Sequence, residues 1–119
     1  MEVAGPFTLT VDAYPATDAS LDTSIVGGRI AGIGVKYDTA GSVDLAISTK
    51  GNIGPAVDIL TVSSANTDGW FYPVPSLVHA NDSAITDQYG FAFPVYDNLT
   101  LALTGGAGGD SVEIVFLLE

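Results

Sequence analysis

Apolar side chains occupy every second position on both sides of a glycine-rich loop near the C-terminal end of the sequence. These positions are Leu99, Leu101 and Leu103 before the loop, and Val112, Ile114, Phe116 and Leu118 after it. A repeat of two places such side chains on one face of a β-strand, whereas a helical face repeats about every 3.6 residues. The pattern predicts two strands, 97–104 and 110–118, that pair antiparallel across the loop 105–109.

The loop 105–109 contains four glycines, but it does not match a phosphate-binding motif. A P-loop requires Lys and then Ser or Thr after its glycines, at the start of a helix. Here Asp110 follows, and its carboxylate would repel a phosphate. The residues beyond it have strand periodicity, so no helix N-terminus faces the loop. The loop is therefore interpreted as a turn.

Similar alternation recurs upstream in segments 7–11, 31–37 and 43–47. In segment 31–37 the alternate positions include Gly32 and Gly34, so one face of that strand carries small residues. No stretch of ten residues has helical apolar spacing without Gly or Pro. The chain of 119 residues is therefore predicted to be a single domain, 1–119, with an all-β fold. We expect an antiparallel β-sandwich, jelly-roll-like, with seven or eight strands.

Local features refine this prediction in four segments. Segment 14–24 is polar and contains Pro15, which predicts a loop. Segment 38–41, Asp-Thr-Ala-Gly, is typical of a hairpin turn. Segment 57–63 has apolar residues on both faces, which predicts a strand that is central or covered twice. The prolines in segment 70–75 confine that strand to a sheet edge or a bulge.

The charge of the chain excludes several classes of partner. Three basic residues stand against fourteen acidic ones, which gives a net charge of −11. Nucleic-acid binding requires clustered Lys and Arg, and an anionic membrane repels an acidic surface. We therefore expect no nucleic acid and no membrane as partner. The shortage of Lys and Arg fits either adaptation to high salt or a surface that only avoids nucleic acid. The N-terminal segment also lacks the basic residues of a signal peptide.

The sequence offers little catalytic or metal-binding chemistry. It has no Cys and a single histidine, His79, without a nucleophile motif around it. Loops that contain Asn66, Asp68, Asn81, Asp82 and Asp87 could supply oxygen ligands to calcium, but their spacing is not that of an EF-hand. Such residues more often cap their own backbone in turns. We expect no catalytic residues, no metal site, no cofactor and no enzymatic activity.

Two pairs of residues are candidates for an interface. Trp70 and Tyr72 share one face of their strand, where they could stack on sugar rings or anchor a contact between subunits. In the last strand the outward positions include Val115 and Leu117, although an outer face exposed to water should be polar. Either a partner or the N-terminal loop of the same chain would cover them. The sequence leaves these two alternatives open.

Four short stretches in the C-terminal half carry a resemblance to a known group of proteins. They are Trp-Phe-Tyr-Pro at 70–73, His-Ala-Asn-Asp at 79–82, Phe-Pro-Val at 93–95, and the ending from Leu-Thr-Leu at 99–101 to Phe-Leu-Leu-Glu at 116–119. In these stretches the chain resembles small β-sandwich virion structural proteins of tailed phages and archaeal tailed viruses. The resemblance implies a head decoration or cement protein, often a homotrimer, that binds the major capsid protein and stabilises the lattice. It carries over no site residues.

The charge adds a location to this expectation. A packaged genome fills the interior of a capsid with phosphate, so a domain of charge −11 is expected on the capsid exterior. A carbohydrate-binding β-sandwich module that uses Trp70 and Tyr72 is the alternative function.

Overall fold

The computed structural model describes residues 2–38, 41–73 and 93–119, and within them the fold is all-β. The strands are β1 (Glu2–Thr10), β2 (Ala19–Asp38), β3 (Val43–Thr49), β4 (Asp58–Ala65), β5 (Gly69–Phe71), β6 (Phe93–Thr104) and β7 (Ser111–Leu118). These seven strands confirm the predicted fold class. No helix long and apolar enough to cross a membrane occurs in the described ranges.

All strand pairs are antiparallel and belong to one open sheet with the order β1-β7-β2-β6-β3-β4. The organising element is β2, which is 20 residues long. Residues 19–30 of β2 pair with β6, and residues 30–38 pair with β7. The short strand β5 pairs with residues 33–35 of β2. The long shared strand thus joins two sets of strands in a sandwich-like arrangement.

The core contains the apolar side chains that alternate along β2, β3, β6 and β7. Residues with no measurable exposure are Ile30, Ile33, Leu45, Leu99, Leu101, Leu103, Val112, Ile114 and Phe116. The rings of Phe7 and Phe116 meet at a centroid distance of 5.9 Å. Burial alternates residue by residue in β6 and β7, as the period of two predicts. The inward face of the last strand was therefore predicted correctly.

The predicted hairpin of residues 97–104 with 110–118 was wrong. β6 and β7 do not pair with each other, because β2 lies between them. The loop 105–109 instead contacts the segment that connects β1 to β2, where the N–H of Gly106 donates to the carbonyl of Thr17 at 2.9 Å. The N–H of Gly109 donates to Val11 at 3.0 Å. Alternation determines which face of a strand is buried, but it does not select the neighbouring strand.

Three further local predictions differ from the structure, and one agrees. The predicted loop 14–24 ends at Ala19, where β2 begins. The predicted turn 38–41 does not join paired strands, since β3 pairs with β4 and β6, and residues 39 and 40 lie outside the described residues. β4 lies at an end of the sheet order rather than in its centre. β5 lies beside β2 alone among the described strands, which agrees with the predicted edge position, although residues 74 and 75 of that segment lie outside the described residues.

One buried carboxylate organises the loop after β3. Asp97, on β6, is 3% exposed. It accepts four backbone hydrogen bonds, from Gly51 at 3.1 Å, Asn52 at 3.3 Å, Ile53 at 3.3 Å and Asn98 at 2.7 Å. Burial raises the pKa of Asp97, but the four N–H donors favour the charged form and together hold the pKa below its ordinary value. The ionised carboxylate therefore anchors the loop to the sheet.

Candidate functional site

The outer face of β2 carries glycines where other strands carry side chains. Ile33 and Val35 point into the core, so Gly32 and Gly34 lie on the opposite face. Gly27 lies in the other half of β2, where it pairs with the exposed Tyr96 of β6. The sequence predicted the small residues at positions 32 and 34, and the structure shows what fills the space above them.

An aromatic ring from a neighbouring segment covers each of these glycines. A Cβ placed on Gly34 would lie 2.9 Å from Cζ3 of Trp70, and one placed on Gly32 would lie 3.3 Å from Cε1 of Tyr72. A Cβ on Gly27 would lie 2.8 Å from Cδ2 of Tyr96. Aromatic rings that cover strand glycines compensate for the packing that glycine does not provide. The missing side chains of β2 therefore allow three rings to rest on the sheet.

The same three rings remain open to solvent on their other side. Trp70 is 50% exposed, Tyr72 is 69% exposed and Tyr96 is 66% exposed. Trp70 and Tyr72 cover the part of β2 that pairs with β7, whereas Tyr96 covers the part that pairs with β6. The register of β2 shifts between these two parts, at residues 30–32.

The outward residues of β7 border Trp70 and Tyr72. Gly34 pairs with Val115, and Gly32 pairs with Leu117. The Cβ position of Gly34 lies 2.8 Å from Cγ1 of Val115, next to the Trp70 ring. The four residues that the sequence singled out, Trp70, Tyr72, Val115 and Leu117, thus lie together on one face, and we call them the outer patch.

Val115 and Leu117 are half-buried rather than open. The sequence left open whether a partner or the N-terminal loop of the same chain covers these two side chains. Across β2, the side chains that flank them are Trp70 and Tyr72. The apolar surface that remains available to a partner is therefore supplied mainly by the two aromatic rings.

A shallow cleft of about 410 Å³ lies beside Trp70. Its floor and walls are Gly34, Val35, Gly69, Trp70 and Val115, and its rim carries Lys36, Asp68 and Glu113. Lys36 and Glu113 are register partners on β2 and β7. One carboxylate oxygen of Asp68 accepts the backbone N–H of Tyr37 at 2.8 Å, which fixes this side chain at the rim. The cleft therefore combines an aromatic wall with two carboxylates and one ammonium group.

Within the described residues, no group of three His, Cys, Asp or Glu side chains could hold a metal ion. Asp68, from one of the loops considered for calcium, caps the backbone of β2 instead. The histidine at position 79 and the acidic segment 81–87 lie outside the described residues.

Sequence reasoning did not single out the exposed aromatic residue Tyr96. Its neighbours Val95 and Asp97 are buried, so a tyrosine between them must face outward on β6. That alternation was visible in the sequence, but its pairing with Gly27 depended on knowing that β6 lies beside β2.

Comparison with known proteins does not place the chain in a family. No family model matches it, and neither a curated protein nor a solved structure matches it.

Proposed function

We propose that this chain is a non-enzymatic structural protein of a virus particle, which docks on the exterior of the capsid lattice and stabilises it. The observation that carries the proposal is the outer patch, where Trp70 and Tyr72 remain largely exposed beside Val115 and Leu117. Apolar surface of this kind on one face of a small β-rich protein is typical of a contact with another macromolecule. The proposed occupant is an apolar surface of the major capsid protein.

The chemistry of the outer patch suits docking better than catalysis. Large aromatic side chains dominate the energetics of protein interfaces, and Trp and Tyr are the residues most enriched at their centres. Both rings rest on β2, so little side-chain freedom is lost when a partner covers them. A rigid apolar surface of this type supports a lasting structural contact.

The net charge of −11 supports an exterior position. Packaged nucleic acid would repel this chain at every contact on the inner surface, and screening acts only beyond about 8–10 Å at physiological ionic strength. The outer surface carries no such repulsion.

The same charge favours apolar contacts between copies. Copies clustered as a homotrimer around a symmetry axis would repel one another through their net charge. Salt screens this repulsion and, at high concentration of kosmotropic ions, strengthens apolar burial. Docking and trimerisation should therefore persist or tighten as the salt concentration rises. Release from purified particles with increasing NaCl would instead indicate attractive ion pairs.

Substitutions in the outer patch test the docking proposal. We expect Tyr72→Ala and Val115→Asp to weaken binding to undecorated particles by about tenfold or more, because interface aromatics and buried apolar contacts carry most of the binding energy. Bound protein is measured by co-sedimentation with the particles. Val57→Asp is the matched control, since Val57 is 44% exposed and lies next to β4, at the end of the sheet order far from β7 and the patch. Equal binding of all three folded variants would contradict the proposal.

A carbohydrate-binding module is the second candidate function. It is favoured by the cleft beside Trp70, where an aromatic wall meets the polar groups of Lys36, Asp68 and Glu113. Carbohydrate sites combine an apolar surface for the sugar ring with a few polar groups for its hydroxyls. This candidate does not require a capsid.

A further inference from the structure

We propose that the outer face of β1, β7, β2 and β5 binds a short neutral oligosaccharide, with one sugar ring stacked on Trp70 and the next one held by a row of polar side chains. This inference rests on the second candidate function. It enlarges the site beyond the cleft beside Trp70, and it specifies the size and the charge of the ligand.

The polar row is placed by the pairing of three neighbouring strands. Thr8 of β1 is the register partner of Glu113 of β7, and Glu113 is the register partner of Lys36 of β2. We call Thr8, Glu113 and Lys36 the polar row. They lie on the outer face, because each has a buried neighbour in its own strand: Leu9, Val112 and Val35. The pairing of β2 with β7 is regular from residue 32 to residue 38, so the row belongs to one uninterrupted part of the sheet.

The ring of Trp70 lies one step away from this row along the same strands. Gly34 precedes Lys36 by two residues, and its register partners are Val115 on β7 and Trp70 on β5. Side chains that lie on one face two residues apart in a strand are separated by about 6.5–7 Å. Two linked sugars can therefore contact the Trp70 ring and the polar row at the same time.

Two clefts meet at the polar row. The cleft beside Trp70 has a volume of about 410 Å³, and a second cleft has a volume of about 350 Å³. Lys36 and Glu113 line both clefts, and the second cleft is also lined by Thr8 and Ser111. Clefts that bind small ligands have volumes of about 300–1,000 Å³. A disaccharide that places one sugar in each cleft would pass over Lys36 and Glu113.

Two groups of the first cleft are held in position before any ligand arrives. The ring of Trp70 rests against Gly34, and the carboxylate of Asp68 accepts the backbone N–H of Tyr37 at 2.8 Å. Groups that are already ordered lose little conformational entropy when a ligand binds. The first cleft is therefore preorganised for a sugar ring.

The charges of the first cleft select a neutral ligand. The carboxylates of Asp68 and Glu113 repel an anion, and the net charge of −11 adds to this repulsion. An organic cation could stack on Trp70, but the ammonium group of Lys36 repels it. Sugar hydroxyls can donate to carboxylates and accept from an ammonium group, so a neutral sugar satisfies both kinds of charge.

The chain contains its own reporter for this site. Trp70 is the only tryptophan, so the intrinsic tryptophan emission comes entirely from the first cleft. The experiment titrates the intact chain with glucose, galactose, mannose and N-acetylglucosamine and with their linked disaccharides, while emission and heat of binding are recorded. A sugar that stacks on Trp70 should shift its emission to shorter wavelength. For at least one sugar we expect the disaccharide to bind about tenfold or more tightly than the monosaccharide, because linked contacts act at a high effective concentration. Tetramethylammonium and a heparin disaccharide are the charged comparisons and should not bind.

Variants of the polar row test its two ends. Glu113→Gln should lower the affinity for monosaccharide and disaccharide alike by about three- to tenfold, because it replaces a charged acceptor that both clefts share. Thr8→Val should lower the affinity for the disaccharide by about threefold and leave the affinity for the monosaccharide unchanged, since Thr8 lines only the second cleft.

Strand β4 supplies a matched control for each variant. Asp58 and Thr61 are exposed on β4, at the end of the sheet order far from β1 and β7. Asp58→Asn removes one carboxylate, as Glu113→Gln does, and Thr61→Val removes one hydroxyl, as Thr8→Val does. Neither control should change the affinity for sugars. Thermal denaturation of each variant confirms that the fold is retained.

The outcomes separate this inference from both candidate functions. Absence of emission change and of heat with every sugar would overturn it, as would tighter binding of tetramethylammonium than of any sugar. Sugar binding that is unchanged in Glu113→Gln and Thr8→Val would keep the carbohydrate candidate but reject the polar row. Binding of particles that depends on Val115 and Tyr72, without a response to sugars, would assign the surface to protein docking alone. Sugar binding that both variants weaken, without binding of particles, would support the inference and reject the docking proposal.

Discussion

Glycine has opposite roles in the loop 105–109 and in strand β2. In the loop it allows backbone to approach backbone, since a Cβ on Gly108 would lie 2.7 Å from the backbone N of Tyr14. In β2 it allows side chains to approach backbone, since Gly34 lies beneath the ring of Trp70. The glycines of loop 105–109 allow this loop to pack against the segment that connects β1 to β2. The isolated glycines of β2 instead form the floor of the candidate site. The role of a glycine therefore follows from what packs against it, and not from how many glycines surround it.

Substitution of Gly108 by alanine should have the largest effect on stability. The new Cβ would lie 2.7 Å from the backbone N of Tyr14 and 3.1 Å from the carbonyl of Asp12, and neither atom can rotate away. We expect the free energy of unfolding to fall by about 1–3 kcal/mol, as in other overpacked sites. Denaturant titration measures this change. Gly54→Ala is the control because no atom lies within 4 Å of its Cβ position. Similar losses for Gly108→Ala and Gly54→Ala would show that the close approach does not matter.

Substitution of Gly34 by alanine should affect the site more than the stability. Its Cβ would meet the ends of two side chains, Val115 at 2.8 Å and Trp70 at 2.9 Å, and both can move. We expect a loss of at most about 1 kcal/mol, partly offset because alanine restricts the unfolded chain. The displaced Trp70 ring should emit at longer wavelength. Gly32→Ala, which lies beneath Tyr72, should leave that emission unchanged. A Gly34→Ala protein with native emission would contradict the proposed contact.

Low pH should have the smallest effect on the structure. The effect should be confined to the loop at residues 51–53, which is held by the charge of Asp97 and not by glycine packing. Ionised Asp97 binds the N–H groups of residues 51–53, and its pKa lies below the ordinary value. The stabilisation is therefore present above the unfolded pKa of about 3.9 and is lost as the pH falls through the lower pKa of the folded state. Hydrogen exchange of amides 51–53 should accelerate at low pH relative to the intrinsic rate, while Trp70 emission stays constant. Asp97→Asn should show fast exchange already at neutral pH. Equal protection of these amides in Asp97→Asn and in the unchanged chain would remove the carboxylate from this role.

The sequence predicted which face of a strand is buried better than it predicted which strands pair. Alternation along β6 and β7 identified the buried residues, because the period of two is a local property of the chain. The same alternation suggested a hairpin that does not form, since β2 lies between β6 and β7. Which strands pair depends on packing between segments that are far apart in sequence, and a local pattern does not specify it.

Only part of the candidate site was predicted, because its residues lie on segments that are far apart in sequence. Trp70 and Tyr72 were visible as aromatic residues at alternate positions, and Val115 and Leu117 as apolar residues on an outward face. Their juxtaposition across β2 required the register of three strands. Tyr96 was missed because its partner, Gly27, lies far from it in sequence.

The position of β2 in the sheet also has a consequence for synthesis of the chain. Residues 19–38 are synthesised before their hydrogen-bonding partners in β6 and β7, which begin at Phe93 and Ser111. Such pairing between distant segments is slow, so we expect β2 to remain without its β6 and β7 partners until those strands are made. An apolar strand in that situation would be prone to aggregate. The glycines within β2 lower its β-propensity, so we expect the residues beneath the aromatic rings also to reduce aggregation of this segment before β6 and β7 are made.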